Sequence, residues 1–168
     1  VWRLGELRLF AIRHPGELRL AYEYGETDGE IEQKNADEYV WQRYPMKDEK
    51  TVIRIVPLMP DRPVVVAPES AIGLERNKSV KVYIRVPLFI GVELSGKERR
   101  LLIDVPAAIM SNTWFGNFFE GELCYWISSG ARTAAEAAPD RPWLALCPVE
   151  LVNKSEIDIG VTKIKVMA

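Results

Sequence analysis

The sequence predicts an all-β protein, an antiparallel two-sheet β-sandwich of about ten strands with one short helix near residues 133–138. Apolar residues recur at every second position through nearly the whole chain, and turn residues separate these segments at short intervals. The chain has 168 residues, of which 48% are hydrophobic, which is enough to bury one core. We therefore predict a single β-sandwich domain over residues 1–168.

The N-terminal third is predicted to form two strand pairs joined by a loop. Residues 7–11 and 18–24 alternate apolar and polar side chains around a Pro-Gly turn, which is typical of a hairpin. Residues 25–37 are rich in charge and contain two glycines, a composition that favours a loop. Residues 39–44 and 51–58 are then expected to pair as the next two strands.

A short valine run at residues 64–66 stands among several closely spaced prolines. Proline cannot donate a hydrogen bond to a strand ladder, so prolines are rare in the middle of a sheet. We therefore predict that this run lies at a sheet edge or on a crossing connection.

The clearest strand pattern lies at residues 80–86, where one face is apolar and the other polar. The alternation resumes at residues 88–94 after Pro87, and a Ser-Gly turn leads into residues 99–105. A strand that bends and changes sheets at Pro87 explains the break.

Residues 121–128 carry large side chains on both faces, which is typical of a central strand. The short helix is predicted just after it, because Thr133 and Glu136 have capping-box spacing and Pro139 ends the segment.

The C-terminal stretch is predicted to form a final hairpin from residues 143–152 and 157–166. Asn153-Lys154-Ser155 between them matches the glycosylation sequon, but turn chemistry is sufficient to explain these residues. The apolar parity changes within the last strand, and a β-bulge near Thr162-Lys163 would return both sets to the core face.

Several segments of the second half resemble a mainly archaeal family of unknown function, domain of unknown function family 432. In chain order they are Val86-Pro87, Ile90-Gly91-Val92, Ile103-Asp104-Val105, Gly121 to Trp126 and Leu151 to Ser155. The resemblance covers the chain from Val80 to its end and brings no catalytic motif with it. Members fused to mechanosensitive-channel-like membrane segments imply a regulatory or interaction domain.

Charge and hydropathy exclude two classes of partner. The net charge is −2, with 22 basic and 24 acidic residues and no block of either sign, so we expect no nucleic-acid binding. No apolar stretch approaches the length of a membrane-spanning helix. The chain begins at Val1 rather than at methionine, and we expect a trimmed N-terminus and a cytoplasmic, soluble protein.

Neither a metal nor a cofactor is expected. One histidine and two separated cysteines, Cys124 and Cys147, do not supply a zinc-ligand set. The cysteines are predicted to be buried and reduced, and a disulfide between them is the alternative. The acidic residues 28–32 lack the full pattern of a calcium loop and are predicted to be solvated.

Catalytic residues are not indicated by any motif. His14 stands beside a turn without the partners of a nucleophilic triad. An enzyme of unrecognised type could act through carboxylates, either Glu120 with Glu122 two residues along a strand, or Asp104 brought near one of them by folding. Two solvent-facing side chains explain the Glu120 and Glu122 spacing equally well.

One segment points to a binding site, the aromatic turn formed by residues 113–119. It packs four aromatic residues around Gly116-Asn117, and rings on so tight a turn cannot all face one core. Either the rings plug the end of the sandwich, or at least one is exposed and contacts a ligand, an upstream segment or another chain. We predict a non-catalytic binding or protein-interaction module, with protein partners or self-association favoured and a small molecule as the alternative. The predicted site comprises Trp114, Phe115, Asn117, Phe118, Phe119 and Trp126.

Overall fold

The structure is a computed structural model that describes residues 1–26, 35–46, 51–96, 99–135 and 141–167. In these ranges 61% of the residues are in strands, the one helical element is a 3-10 turn at Ala36–Glu38, and there is no α-helix, so the all-β prediction is confirmed. Of the helix predicted near 133–138, residues 136–138 lie outside the described residues. The described strands are β1 (Trp2–Leu4), β2 (Leu7–His14), β3 (Glu17–Tyr24), β4 (Gln42–Pro45), β5 (Val52–Leu58), β6 (Val64–Ala67), β7 (Ile72–Leu74), β8 (Ser79–Pro87), β9 (Phe89–Ser95), β10 (Arg99–Pro106), β11 (Ser111–Phe115), β12 (Glu122–Ser128), β13 (Leu144–Val152), β14 (Ile159–Val161) and β15 (Ile164–Val166).

The chain divides into two compact units, each built from separated segments. Unit 1 comprises Val1–Leu58 and Leu88–Ile109, and unit 2 comprises Met59–Pro87 and Met110–Ala168. The single-domain organisation expected from the sequence stays a prediction.

Unit 1 contains two antiparallel sheets with strand orders β1-β2-β3-β4 and β10-β9-β5. The first sheet contains the predicted opening hairpin, in which β2 pairs with β3. Buried side chains of both sheets, among them Leu9, Leu20 and Val92, form one apolar cluster. Two sheets that share a core in this way form a β-sandwich.

Unit 2 contains a four-stranded sheet of order β11-β12-β6-β15 and two strand pairs, β13-β8 and β14-β7. Its apolar cluster joins Val64 and Val66 of β6 to Val82 and Ile84 of β8, and Ile164 of β15 packs with them. Strand β8 shows the predicted alternation, since Val82, Ile84 and Val86 are buried whereas Lys81 is exposed. Strand β12 is interior to its sheet, which confirms the central strand predicted at residues 121–128.

The edge position predicted for residues 64–66 is wrong. Strand β6 lies between β12 and β15, and Val64, Val65 and Val66 are fully buried. Pro63 precedes the strand and Pro68 follows it, so every residue inside the strand can donate to the ladder. The pairing of β6 with β12 is parallel, whereas the pairings between the other named strands are antiparallel.

Two predicted strand pairs are also wrong. Strand β4 pairs with β3 and strand β5 pairs with β9, so the two do not pair with each other. Strand β13 pairs with β8 along its whole length instead of forming a C-terminal hairpin. The chain after it breaks at Thr162-Lys163 into β14, which pairs with β7, and β15, which pairs with β6. A change of sheet, rather than a β-bulge, therefore explains the change of apolar parity.

The predicted change of sheet at Pro87 is confirmed. Strand β8 ends at Pro87 and pairs with β13, whereas β9 begins at Phe89 and lies between β10 and β5. The Ser-Gly turn then connects β9 to β10 as an antiparallel pair, as expected.

Candidate functional site

The aromatic turn joins β11 to β12 at the edge of the four-stranded sheet of unit 2. The two strands pair in an antiparallel register that places Trp114 opposite Leu123 and Phe115 opposite Glu122. Gly116 follows β11 with a φ of +116°, a backbone conformation that side chains larger than hydrogen rarely adopt. The glycine thus lets the chain leave β11 sharply and expose the next residues.

Asn117 holds the turn in one conformation. Its side-chain oxygen accepts hydrogen bonds from the backbone N–H groups of Phe119, at 2.9 Å, and Glu120, at 2.8 Å. Its amide nitrogen donates to the Glu120 carboxylate at 3.3 Å. An asparagine that bonds the backbone two and three residues ahead mimics a backbone turn. Asn117, which is one of the predicted site residues, therefore stabilises the conformation of the turn.

Trp114 closes the turn from the strand side. Its indole Nε1 donates a hydrogen bond to the backbone carbonyl oxygen of Asn117 at 3.0 Å. The ring also lies against Gly121, where a Cβ atom would collide with it. The indole is therefore fixed at one edge although 54% of the residue surface is exposed.

The two phenylalanines at the tip are almost fully in solvent. Phe118 is 86% exposed and Phe119 is 91% exposed. Their rings contact each other edge to face, with centroids 5.4 Å apart and planes at 88°. The structure thus confirms that the four rings do not all face a core, whereas binding by these rings stays a prediction.

Phe115 and Trp126 lie on the other face of the hairpin. Phe115 is partly buried, and the Lys165 Nζ atom lies 5.5 Å from its ring centroid. Lys165 also forms an ion pair with Glu122. Trp126 pairs with Ser111. It lies four residues beyond Glu122 on β12, which places it about 13 Å along the strand from the turn. The structure therefore does not bring Trp126 to the exposed tip.

Two residues beside the exposed rings, Leu123 and Glu120, are not among the predicted binding-site residues, although Glu120 is one of the carboxylates considered for acid-base chemistry. Leu123 is partly exposed and shares the face of Trp114, because paired residues in a sheet point to the same side. Glu120 completes the turn and is exposed. The apolar alternation of β12 assigns Leu123 to one face of the strand. Alternation alone does not tell which of the two faces other strands cover, so it could not predict that Leu123 is partly exposed.

The carboxylates considered as an alternative acid-base pair are not arranged on one strand. Glu120 lies in the turn and Glu122 begins β12, so the two do not share a strand face, and Asp104 belongs to unit 1. The part of the chain that the structure describes contains no group of three or more His, Cys, Asp or Glu residues able to hold a metal. The acidic residues 28–32 lie outside that part.

The structure also places the remaining residues that the sequence singles out, namely His14, the two cysteines and Asn153. His14 is exposed at the end of β2. Both cysteines are free: Cys124 is fully buried as predicted, whereas Cys147 is only partly buried. Burial raises the pKa of both thiols, and for Cys124 the nearby Glu122 carboxylate raises it further. Asn153 is buried, and its side-chain oxygen accepts a hydrogen bond from the Ser155 backbone N–H, as the predicted turn chemistry requires.

Comparison with known proteins identifies one family. A family model described as protein of unknown function (DUF432) matches residues 1–167, so the likeness seen in the second half extends over the N-terminal half as well. No curated protein and no solved structure gave a significant match to the chain. Among the described residues, no helix has the length and apolar character needed to cross a membrane.

Proposed function

Because the chain belongs to DUF432, a family whose description assigns no activity, we propose a function from its aromatic turn. The chain is a non-catalytic interaction module that docks a protein partner through Trp114, Phe118 and Phe119. The carrying observation is that these three rings are exposed on a turn whose backbone is held by internal hydrogen bonds.

The fixed backbone supports binding because it lowers the entropy lost when a partner docks. Asn117 bonds the backbone of Phe119 and Glu120, and Trp114 bonds the backbone of Asn117. A preorganised turn loses less conformational freedom on association than a mobile loop does. Aromatic side chains on such a turn have the size and stiffness typical of binding hot spots.

The exposure of the tip favours a protein surface over a small molecule. A small-molecule site usually encloses most of its ligand in a pocket lined by apolar side chains. Phe118 and Phe119, at 86% and 91% exposure, project into solvent and do not line an enclosed pocket. Rings that project from a surface fit instead into a complementary depression on another protein.

Site-specific photo-crosslinking tests this proposal in cells that make the chain. The photoreactive p-benzoylphenylalanine replaces Phe118 in one variant and Val40, which is 89% exposed in unit 1, in a control variant. We expect a discrete adduct from position 118, its loss when Trp114→Ala is added, and no such adduct from position 40. Equal adducts from both positions, or none from position 118, would contradict the proposal.

A further inference from the structure

We propose that the aromatic turn binds a short basic segment of its partner, in which an Arg or Lys side chain stands next to an apolar residue. This inference rests on the proposed function and specifies the chemistry of the partner. Three features support it: a carboxylate that forms no ion pair within the described residues, a lysine of β15 held between a ring and a carboxylate of the same hairpin, and the small area of the exposed rings.

Glu120 places a negative charge directly after the two exposed phenylalanines of the turn. It is exposed, and its carboxylate accepts one long hydrogen bond, 3.3 Å, from the neutral amide of Asn117. Within the described ranges Glu120 forms no ion pair, whereas the next carboxylate, Glu122, is paired with Lys165. A cationic group would thus find at the turn a carboxylate without a competing internal cation.

The hairpin already shows how such a cation can be held. Lys165 lies 5.5 Å from the Phe115 ring centroid and pairs with Glu122, so one ammonium group contacts an aromatic ring and a carboxylate together. Phe118 and Phe119, with the adjacent Glu120, present the same two kinds of group on the exposed side. The cation is the component that a partner would supply.

The other polar side chains between Trp114 and Glu120 are already engaged. The Asn117 side chain uses both its oxygen and its nitrogen inside the turn, and the Trp114 indole N–H bonds the Asn117 carbonyl oxygen. A sugar needs several free donors and acceptors beside the ring on which it stacks. Ring faces and one carboxylate remain, and they suit a cation with an apolar neighbour.

The size of the exposed surface favours a segment over a second copy of the chain. Aromatic side chains bury about 150 to 250 Å² each, so three partly to fully exposed rings offer roughly 400 Å². A standard interface buries about 800 Å² on each partner. The aromatic turn alone is therefore too small for a stable dimer and matches a few residues of an extended segment.

A peptide library tests the inference while the partner itself is unidentified. Random peptides are selected on the full chain after depletion on the Phe118→Ala/Phe119→Ala variant. We expect the enriched peptides to share an Arg or Lys next to an apolar residue. An enriched peptide is then synthesised with Arg and with citrulline, its neutral counterpart of similar shape, and its affinity is measured by fluorescence polarisation.

The expected pattern is a coupling between the peptide cation and Glu120. Citrulline should weaken binding about fivefold, the size of a modest surface charge contact. Glu120→Gln, which keeps the acceptor for Asn117, should weaken the Arg peptide about equally and leave the citrulline peptide unchanged. Glu156→Gln, at another exposed glutamate of unit 2, serves as the matched control and should change neither affinity.

The outcomes separate this inference from the proposed function. If citrulline binds as well as Arg while Phe118→Ala/Phe119→Ala abolishes binding, the basic segment is wrong and docking by the rings stands. Enrichment of peptides without basic residues has the same meaning. If the double alanine variant binds the peptides unchanged, both proposals fail. If light scattering shows that the chain is a dimer and that the Phe118→Ala/Phe119→Ala variant is a monomer, the occupant of the turn is a second copy of the chain and the basic segment is wrong.

Discussion

The indole ring of Trp114 packs against the α-carbon of Gly121, and its N–H donates a hydrogen bond to the carbonyl oxygen of Asn117. A Cβ atom at position 121 would meet the indole well inside van der Waals distance and would approach the Asn117 oxygen to 2.6 Å. The missing side chain at Gly121 thus allows the ring to close the turn. One glycine links the conformation of the turn to the position of its largest exposed ring.

Gly121→Ala is therefore expected to destabilise unit 2 and to displace Trp114. Forcing a methyl group into a filled site costs about 1 to 3 kcal/mol, which should lower the urea midpoint. Gly73→Ala is the matched control, because nothing lies within 4 Å of a Cβ atom at that position. Equal midpoints for the two variants would show that the indole does not close the turn.

The exposed phenylalanines should contribute little to stability. We expect Phe118→Ala and Phe119→Ala to change the free energy of unfolding by no more than about 0.5 kcal/mol, as for most surface substitutions. Phe10→Ala is the comparison, because Phe10 is buried and packs on the Tyr39 ring at 4.4 Å. Its loss should cost about 3 to 5 kcal/mol. A comparable loss for Phe118 in denaturant titration would make the turn part of a core.

Most strands could be predicted from the sequence, but several of their partners could not. Alternation at residues 80–86 shows which side chains of β8 are buried, because successive residues point to opposite faces. It carries no information about which strand lies beside it. The partner β13 is about sixty residues away in the chain, whereas sequence reasoning favours partners joined by a short connection.

Proline was the misleading signal at β6. Pro63 and Pro68 lower the strand propensity of the window, but both lie outside the four residues that pair. The continuous burial of Val64, Val65 and Val66 matches a strand covered on both faces, which reads as an unbroken apolar run. The unbroken apolar composition of this short valine run therefore indicates a buried strand better than the number of nearby prolines indicates an edge.

The candidate site was partly predictable for steric reasons. Four rings on one tight turn exceed what one core face can accept, and Phe118 and Phe119 are indeed in solvent. Which rings are exposed depends on the backbone conformation of Gly116 and on the hydrogen bonds of Asn117, which apolar alternation does not reveal. Trp126 is near the turn in sequence, but strand length separates it from the tip.

The two cysteines should react at different rates with a thiol reagent. Cys124 is fully buried, and Cys147 is partly buried in β13. Burial raises the pKa of both thiols, so little reactive thiolate exists near neutral pH. We expect slow labelling of Cys147 and labelling of Cys124 only on unfolding. Cys147→Ser should therefore resist the reagent without denaturant, and fast labelling of that variant would contradict the burial of Cys124.

Asn153 should be far more important for stability than its turn position suggests. The two N–H groups of its buried side-chain amide are shared among the backbone carbonyls of Leu74, Glu75 and Ile157, at 3.0, 3.1 and 2.8 Å. Asn153→Ala removes these hydrogen bonds and the two that the Asn153 side-chain oxygen accepts from Ser155, and a loss of about 3 kcal/mol is expected in denaturant titration. Asn112→Ala, at an exposed asparagine of β11, is the matched control. A small effect at Asn153 would show that water replaces the amide.

Tyr24 should make unit 1 sensitive to alkaline pH. Its hydroxyl donates a hydrogen bond to the Pro106 carbonyl oxygen at 2.9 Å. Burial, followed by the nearby Tyr22 and Glu6, raises the pKa of Tyr24 to about 12. Because an unfolded tyrosine ionises near pH 10, the folded state favours the protonated phenol. Its contribution is therefore fully present below pH 10 and is lost as the pH rises toward 12.

The comparison of wild type with Tyr24→Phe isolates this effect from every other alkaline titration. At pH 8 the variant should be less stable by about 1 kcal/mol, the worth of one neutral hydrogen bond. From pH 10 upward the wild type loses that advantage, so the difference in unfolding free energy should shrink. Tyr83→Phe, in unit 2, controls for the loss of a phenol. A difference between wild type and Tyr24→Phe that stays constant from pH 8 to pH 11 would show that the hydroxyl of Tyr24 ionises as readily in the folded chain as in the unfolded one.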